Sequence, residues 1–555
     1  MPSNFEIIEK DGAGRIGRLR TPHGIVETPT VMPVINPNLR IIEPAEMKDF
    51  GAEILITNSY IIYNKKELRE KALKDGLHEL LGFDGPIMTD SGSFQLSVYG
   101  EINVENHEII SFEQQIGTDI GVPLDIPTGP DVSFEKASGE LEITHARLKE
   151  AREIVEKTRE AAKSHRESEG KSDGMSDGKA AGMSDGKAAG MSDGKAAGMS
   201  DGKAAGMSDG KTDVKRRGDD MMLAGPIQGS THKSLREKSA AYLSELDFDV
   251  YPIGAVVPLM EAYRYSELVD IIVAAKKNLT PTAPVHLFGA GHPMMFALAV
   301  ALGCDLFDSA AYALYAKGGR YITVNGTYMV DRLKYLPCSC PVCMKNTAES
   351  LKKAANKEEL LARHNLYVTF EEIRQIKQAI SDGKLMELVE LRCHSHPKIL
   401  GALDALFSHS DWLEQHDPAA KSTFFECSAA SANRPEVLRY GMRLSRLSVH
   451  GNVLIRPHSS PKDKEYDFIF SFKPPFGAYP VELDENYPFN AEVLDIPSLP
   501  SLQKALDHTL RLVQQNPDAK FVFVKGKRLS RFDESCFEEL KKVCTVVDRL
   551  DDLEK

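Results

Sequence analysis

Residues 85–95, GPIMTDSGSFQ, place a short apolar run directly before a polar loop. The run 86–89 follows turn residues and predicts a buried β-strand. The strand leads into Asp90, Ser91 and Gly92, and a glycine at this point lets the backbone approach a ligand closely. The same residues could instead form a turn in which Asp90 and Ser91 cap the following helix. The rest of the chain decides between these two interpretations.

Strand-like runs alternate with helical patterns over residues 1–310. The alternation predicts an α/β fold, a TIM-like (β/α)8 catalytic barrel over residues 1–336. A doubly wound open sheet is the alternative, but no glycine-rich dinucleotide fingerprint follows the first strand. The predicted strands are 29–35, 54–57, 86–89, 120–126, 222–228, 250–257, 285–288 and 305–308, and the predicted helices are 65–81, 107–116, 134–164, 234–246, 261–277 and 293–302.

Polar or glycine residues lie at or near the carboxyl ends of six predicted strands. In a (β/α)8 barrel this end carries the active site, because the loops that follow the strands meet there. A carboxylate at the end of one strand is common, whereas such residues at six strand ends favour a functional site. The six residues are Asp90, Asp125, Gln228, Gly254, Gly289 and Asp308.

The composition is typical of a soluble globular protein, with 42% hydrophobic and 27% charged residues. A length of 555 residues predicts about three domains. The net charge of −13 argues against nonspecific nucleic-acid binding over the whole surface, but it allows a local basic face. We find no signal-peptide pattern and no apolar run of about 18 residues, so we expect a cytoplasmic protein with no membrane partner.

A repeat interrupts the barrel pattern at residues 171–212. The unit MSDGKAAG occurs four times from Met175 onward, and a fifth copy begins at Met207 and degrades at Thr212. Each unit has one methionine as its only large apolar side chain, so it cannot bury enough surface to offset its chain entropy. We expect a disordered insert that leaves the barrel on the face opposite the active site.

A cysteine cluster follows the barrel in the sequence PCSCPVC at 337–343. Three thiolates at this spacing, together with one imidazole, make the ligand set of a closed, structural zinc site. We therefore predict one structural Zn2+ per chain in a zinc-binding subdomain over residues 337–365. Its ligands are Cys338, Cys340, Cys343 and His364.

Two further regions follow the zinc-binding subdomain. Residues 366–460 predict a helical connecting region, with clear helices at 370–380 and 384–394. Residues 461–555 predict an α+β domain of ordinary size, with strands at 468–472, 521–524 and 543–547 and a helix at 499–513. The stretch between residues 434 and 456 could meet a phosphate backbone or form a solvated face, because it carries the arginines Arg434, Arg439, Arg443, Arg446 and Arg456.

The motifs of the first 365 residues resemble, in order, those of the tRNA-guanine transglycosylases. The matching stretches are TDSGSFQ at 89–95, PLD at 123–125, GPIQG at 225–229, IGAVV at 253–257, FGAG at 288–291 and LFDS at 306–309, together with the cysteine–histidine set. The sequence FKPPFG at 472–477 is similar to the extension of the archaeal branch. The resemblance implies exchange of guanine at position 15 of tRNA for 7-cyano-7-deazaguanine (preQ0), on the way to archaeosine.

The resemblance also implies roles for individual residues. A double displacement at C1′ needs two carboxylates, and the family favours Asp308 as the nucleophile and Asp90 as the acid/base, although the residues alone leave the two roles open. Asp125 would accept the purine N1–H and amine, while Gln228 and the backbone N–H near Gly254 and Ala255 would suit O6. The implied substrate-binding residues, including two phenylalanines that could stack on the ring, are Ser91, Phe94, Asp125, Gln228, Gly254, Ala255, Val257 and Phe288.

Partners follow from the same resemblance. Archaeal members commonly form homodimers and usually end in a PUA-type RNA-binding module, which we do not recognise in this chain. We therefore expect a homodimer, a tRNA surface on residues 365–555, and a separate PUA-domain protein as a partner to test. Four arginines of the basic stretch are the first candidates for tRNA contacts, namely Arg439, Arg443, Arg446 and Arg456.

Three other functions remain as alternatives. A queuosine-type enzyme would insert an aminomethyl base, but the run GAVV at 254–257 suits a cyano group better than an ammonium. A non-catalytic tRNA-binding paralogue typically loses one of the two carboxylates, whereas Asp90 and Asp308 are both present. A relative of archaeosine synthase, which acts on the base already inserted, would not need the full guanine pocket.

Overall fold

The computed structural model describes residues 4–93, 104–172, 218–457 and 461–554. Phe94 and nearly all of the predicted insert 171–212 lie outside the described residues. Within the described ranges, none of the helices combines the length and apolar character needed to cross a bilayer.

The chain begins with a three-stranded antiparallel sheet that the sequence did not predict. Its strands are β1 (Phe5–Asp11), β2 (Gly14–Thr21) and β3 (Gly24–Thr28), in the order β1-β2-β3. Phe5, Leu19 and Val26 pack with the apolar side chains of the barrel strands in one buried cluster. Residue 28 leads directly into the first barrel strand, so this sheet covers the amino ends of the barrel strands, opposite the end that carries active sites.

Eight parallel strands form the predicted barrel. They are β4 (Thr30–Ile35), β5 (Leu55–Asn58), β6 (Ile87–Asp90), β7 (Ile120–Gly121), β8 (Met222–Leu223), β9 (Tyr251–Ile253), β10 (Val285–Leu287) and β11 (Leu306–Ser309). The ladder runs β8-β7-β6-β5-β4-β11-β10-β9, and parallel bridges between Ala224 and Val250 and between Ile227 and Ile253 close the ring. The (β/α)8 prediction is therefore confirmed, and the predicted alternative of an open sheet is wrong.

Each of the six predicted helices has an observed counterpart, whereas Met47–Phe50, Ser59–Asn64 and Ala311–Lys317 were not predicted. The predicted helix 65–81 is interrupted at Gly76, whose φ of 94° ends one helix and begins the next. The predicted helix 261–277 is preceded by a separate short helix. The observed helices are Met47–Phe50, Ser59–Asn64, Lys66–Asp75, Leu77–Leu81, Asn106–Ile116, Phe134–Ser172, Lys233–Leu246, Val257–Glu261, Tyr265–Lys276, Phe296–Ala301 and Ala311–Lys317.

A hairpin and a set of helices follow the barrel. The hairpin pairs β12 (Arg320–Thr323) with β13 (Gly326–Met329). The long helix Lys357–Ser381 contains the predicted helix 370–380 and carries His364 against strand β12 of the hairpin. The other helices here are Pro341–Lys345, Ala348–Lys353, Leu385–Cys393, Pro397–Phe407 and Ser410–His416.

The C-terminal unit is a five-stranded sheet with its own core. Its strands are β14 (Gly451–Arg456), β15 (Phe468–Lys473), β16 (Gly477–Pro480), β17 (Ala519–Val524) and β18 (Thr545–Val547), in the order β16-β15-β14-β17-β18. Helices Pro435–Arg443, Leu499–Gln515, Gly526–Leu529 and Glu538–Lys541 accompany it. The predicted strands and the predicted helix 499–513 are confirmed.

The helical prediction for 366–460 is wrong at β14. This strand is the centre of the C-terminal sheet, and a short apolar run such as Val453–Ile455 does not distinguish a buried strand from a helix by its periodicity. The core of the sheet also begins at Phe424 rather than after residue 460. We therefore propose a domain boundary before Phe424 in place of the predicted boundary at 460/461.

A buried group of charges connects the N-terminal sheet to the C-terminal unit. The Nζ atom of Lys421 lies 2.7 Å from a carboxylate oxygen of Asp11, 2.6 Å from one of Asp417 and 3.0 Å from one of Glu436. The Lys421 side chain is 2% exposed. Since Asp11 ends β1 and Glu436 lies in the first turn of the helix beside the C-terminal sheet, this lysine holds together parts of the chain that are far apart in sequence.

Replacing Lys421 with methionine is expected to destabilise the protein by about 3–5 kcal/mol, because buried carboxylates would lose a cation that they share. Urea or thermal unfolding measures this change. Lys66→Met is the matched control, since Lys66 lies 3.9 Å from Glu70 on the surface, and an exposed pair of this kind contributes about 0–1 kcal/mol. Equal stability losses in the two variants would contradict the structural role of Lys421.

Candidate active site

Asp90 is the last residue of β6, at the carboxyl end of the barrel. Asn58, its neighbour on β5, donates a hydrogen bond of 2.9 Å to one carboxylate oxygen, and the Gly92 N–H lies 3.3 Å from the other. Burial, together with the nearby charges of Asp125 and Asp308, raises the pKa of Asp90 to about 6 despite the hydrogen bonds from Gly92 and Asn58. Asp90 is thus a carboxyl group that can hold a proton near neutral pH.

Asp308 lies on β11 and reaches the same end of the barrel. Its Oδ1 atom is 2.8 Å from Nε2 of His286 and accepts a 2.6 Å hydrogen bond from the Gly289 N–H. The described residues offer Oδ2 no hydrogen bond, and the side chain is 13% exposed. One oxygen of this carboxylate is therefore fixed by two partners, while the other is left for a ligand.

Asp125 and Gln228 form a buried polar pair beside these carboxylates. Both follow their strands by a few residues, and the amide of Gln228 donates to Oδ2 of Asp125. Burial raises the pKa of Asp125. Oε1 of Gln228 has no hydrogen-bond partner among the described residues, although it is fully buried. A buried acceptor without a partner is costly, so it points to a ligand that donates a hydrogen bond here.

Gly254 leaves room for the Gln228 side chain, and its own N–H is not free to bind a ligand. Its N–H donates to the carbonyl of Ile227 at 3.2 Å and so belongs to the closure of the barrel, which corrects the expectation that it faces a purine. A Cβ atom on Gly254 would lie 2.1 Å from the Gln228 amide nitrogen. Ala255 follows with a φ of 58°, and Val257 begins the next helix. A side chain at Gly254 would therefore displace Gln228.

Ser91 and Phe288 both contact other residues of the site, and their roles in binding the base stay predictions. The buried Ser91 hydroxyl donates to the Pro123 carbonyl at 3.1 Å, so it ties the loop after β6 to the loop that carries Asp125. The Phe288 ring lies half-buried with its centroid 4.4 Å from that of His286. Phe94 lies outside the described residues, and its stacking role stays a prediction.

Sequence reasoning missed a layer of polar residues beneath the carboxylates. Glu113 is fully buried and accepts hydrogen bonds from Ser59 at 2.8 Å and from Thr89 at 2.9 Å, and burial raises its pKa well above the usual range. Ser59 also donates to the Asp90 carbonyl at 3.0 Å. Asn58 is the last residue of its strand, and that position could have indicated a site residue. Glu113 lies on a helix, and no sequence pattern indicates that it belongs to the site.

The predicted metal ligands converge. Cys338, Cys340, Cys343 and His364 offer donor atoms that all lie within 4.8 Å of one another. Nδ1 of His364 lies 3.5 Å from the Cys340 sulfur and 3.4 Å from the Cys343 sulfur, close to the roughly 3.5 Å expected between S and N ligands of a tetrahedral zinc ion. Nε2 of His364 bonds to the Ile322 carbonyl, which fixes the ring. The cluster could hold a metal ion.

A second group of possible ligands, His23, His78 and Asp119, is hydrogen-bonded instead. The two rings lie 2.8 and 3.0 Å from different oxygens of Asp119, which also accept the backbone N–H groups of His23 and Ile87. These separations are those of hydrogen bonds, and both oxygens are occupied. The group ties the N-terminal sheet to the amino ends of the barrel strands, away from Asp90.

Three of the five arginines in the basic stretch are buried, including two of the four candidates for tRNA contacts. Arg434 pairs with Glu387 and Glu436, Arg439 pairs with Glu414 and Asp417, and Arg456 pairs with Asp463. The predictions for Arg439 and Arg456 as surface contacts are therefore wrong. Arg443 and Arg446 are exposed, and neither makes an ion pair with the part of the chain that the structure describes.

Comparison with known proteins agrees with this geometry. A family profile described as "Queuine tRNA-ribosyltransferase" matches residues 10–169 and 207–398. A Methanosarcina barkeri protein named tRNA-guanine(15) transglycosylase is 57% identical over 551 residues, which cover 99% of each chain.

Two further relatives carry the same name. The Haloferax volcanii protein is 46% identical over 100% of this chain and 96% of its own length. The Methanothermobacter thermautotrophicus protein is 44% identical over 87% of this chain but only 67% of its own length. The profile match spans the barrel strands and the cysteine–histidine cluster, and the chain belongs to the queuine tRNA-ribosyltransferase family.

Proposed function

We propose that this protein exchanges guanine at position 15 of tRNA for 7-cyano-7-deazaguanine, as in archaeosine biosynthesis. The observation that carries the proposal is the meeting of Asp90, Asp125 and Asp308 from three separate parts of the barrel, beside the unpartnered amide oxygen of Gln228. The names of the archaeal relatives support the choice of position 15. A queuosine-type exchange is the alternative that the test below separates.

The proposed reaction is a double displacement at C1′. Oδ2 of Asp308 attacks C1′, the bond to guanine breaks, and Asp90 gives the departing base its proton. Asp90 then takes a proton from the incoming base, whose nitrogen attacks C1′ and releases Asp308. The two donors on Asp308 support a negatively charged nucleophile, and the raised pKa of Asp90 supports an acid that returns to a base. One glycosidic bond replaces another, so no ATP is consumed.

The base would be recognised by the Asp125–Gln228 pair. A purine of the guanine type presents N–H donors that an Asp125 carboxylate and the free Gln228 oxygen can accept. A base without these donors would leave buried acceptors unpaired, and sites of this kind discriminate strongly against such analogues. Because Gly254 has no side chain, the Gln228 amide has room to take the position that this contact requires.

The metal is proposed to be one structural zinc ion per chain. Three thiolates and one imidazole at tetrahedral separations match the preference of zinc, and all four protein ligands close the coordination shell. The cluster belongs to the segment after the barrel, and the base-contacting residues proposed above lie elsewhere. The zinc would thus stabilise the hairpin and the long helix instead of taking part in base exchange.

Cys340→Ser is expected to lose the zinc and to lower the melting temperature by roughly 5–10 °C, because metal binding contributes to folding stability. Elemental analysis and thermal unfolding measure the two effects. Cys427→Ser is the control, since Cys427 is exposed and lies outside the cluster. A stripped protein that melts like the untreated one would refute the structural role.

The tRNA surface of the C-terminal unit is proposed to include Arg443 and Arg446. Both are exposed and line a cavity of about 270 Å³ whose walls include Leu483 and Phe489. Position 15 lies within the folded core of tRNA, so its exposure requires contacts elsewhere on the molecule. Guanidinium groups without an acidic partner are suited to phosphates.

The double variant Arg443→Glu/Arg446→Glu is expected to raise the KM for tRNA with little change in kcat, and to reduce the salt slope of binding by about one unit per arginine. Titration of tRNA at several salt concentrations measures both effects. Arg20→Glu is the control, because Arg20 is an exposed arginine of the N-terminal sheet, outside the C-terminal unit. An unchanged KM and slope would remove these residues from the tRNA surface.

A homodimer and a PUA-domain protein acting in trans remain proposals as well. The Methanothermobacter relative is matched over 67% of its own length, so about a third of it has no counterpart in the alignment. Sedimentation measures the dimer, and tRNA titration with and without the added protein measures the second partner.

Incorporation of labelled guanine into a tRNA transcript tests the proposed function. We expect label in a transcript with G15 and none in a G15→A transcript, and we expect unlabelled 7-cyano-7-deazaguanine to compete. Label at the anticodon instead would favour the queuosine-type alternative, and no label at all would refute base exchange.

A further inference from the structure

His286 is a fully buried side chain that reaches Asp308 from the barrel interior. It lies on β10, and its Nε2 atom is 2.8 Å from Oδ1 of Asp308. Its ring packs against Phe288, and Nδ1 has no hydrogen-bond partner among the described residues. Histidines in barrel strands are commonly part of the core, so the contact with a carboxylate at the site is informative.

The surroundings of His286 fix its tautomer. A proton on Nδ1 would be a buried donor without an acceptor, which is unfavourable in an apolar interior. The proton therefore belongs on Nε2, where it is donated to Asp308. The imidazole is then a neutral donor whose Nε2–H points at Oδ1 of Asp308.

The second donor to the same oxygen comes from the backbone. The Gly289 N–H lies 2.6 Å from Oδ1 of Asp308, and Gly289 has a φ of 67°. A Cβ atom at Gly289 would lie 2.2 Å from a Val257 methyl group, so the turn that holds this N–H requires glycine. Two donors from β10 and its loop thus hold Oδ1 and prevent rotation of the carboxylate.

We propose that His286 is a positioning residue. Together with the Gly289 N–H it donates a hydrogen bond to Oδ1 of Asp308, which fixes the carboxylate so that Oδ2 is the attacking atom. This inference rests on the proposed function, because it assigns Asp308 as the nucleophile. A carboxylate free to rotate would spend less time aligned with C1′, and a displacement of about 1 Å can cost 10²-fold in rate. Binding of tRNA would not depend on this contact.

The test compares His286→Leu, which removes the donor, with His286→Gln, which retains an N–H donor on a side chain of similar length. Single-turnover formation of the covalent tRNA adduct and the KM for tRNA are measured on the full chain. Met222→Leu is the control for an apolar replacement among the buried side chains of the barrel strands.

We expect His286→Leu to slow adduct formation by about 10²-fold with a KM within about twofold of the unmodified protein. We expect His286→Gln to recover at least about tenfold of that loss, and Met222→Leu to react at nearly the full rate. Equal rates for the Leu and Gln variants, or a Leu variant as fast as the unmodified protein, would overturn the inference while the proposed function stands. If the Leu variant does not fold, a Gln variant slowed as much as Asp308→Asn overturns it. An unmodified protein that forms no adduct overturns both.

Discussion

Asp308→Asn is expected to lower the rate of base exchange by about 10⁴-fold or more, the largest effect of any single substitution in this chain. The amide that replaces the carboxylate is a poor nucleophile at C1′, so the covalent intermediate would not form. The substitution changes few contacts, because Oδ1 can still accept the bonds from His286 and Gly289. Steady-state exchange of labelled guanine measures the loss.

Retained tRNA binding is the control for the Asp308 variant. We expect its Kd for tRNA and its melting temperature to stay near those of the unmodified protein, since the side chain is not part of the apolar core. A variant that still exchanges guanine within about tenfold of the normal rate would contradict the role of Asp308.

Asp90→Asn is expected to lower exchange by about 10²–10⁴-fold, the range of a lost general acid or base. The pKa of about 6 that burial confers on Asp90 adds a pH test. The protonated form is needed to release guanine, and it is present below this pKa and lost above it. The pH dependence of kcat/KM reports the ionisation of groups in the free enzyme. We therefore expect kcat/KM for tRNA to fall by about tenfold per pH unit once the pH rises above about 6.

The pH profile of the Asp90 variant completes this test. Asparagine does not titrate, so its small residual rate should lack the decline above pH 6. A decline of unchanged shape in Asp90→Asn would assign the titration to another group and would contradict Asp90 as the acid. The buried carboxyl of Glu113, whose pKa is also raised, is the next group to examine.

The barrel and the carboxylates could be predicted because both depend on local patterns. Each barrel strand is a short apolar run between turn residues, and the carboxyl end of such a strand is known once the run is identified. The strand ends therefore predict that Asp90, Asp125 and Asp308 lie at one end of the barrel. The register of β6 against β5 then brings Asn58 beside Asp90, which the sequence does not show.

Other features depend on partners that are distant in the chain. The arginines at 439 and 456 have the charge of a nucleic-acid surface, but Glu414, Asp417 and Asp463 neutralise them in the folded protein. His286 resembles an ordinary core histidine until the pairing of β10 with β11 places it under Asp308. β14 resembles a helical segment until β15 and β17 pair on both sides of it.

Mass spectrometry of the trapped tRNA–protein adduct tests the central claim most directly. The protein is mixed with tRNA, quenched with denaturant before the second base is added, and digested, and the peptide that carries the ribosyl group is identified. We expect the modification on the peptide that contains Asp308, and its loss in Asp308→Asn but not in a variant altered at Arg20. A modification on Asp90 would reverse the roles of the two carboxylates, and the absence of any adduct during active exchange would contradict the double displacement.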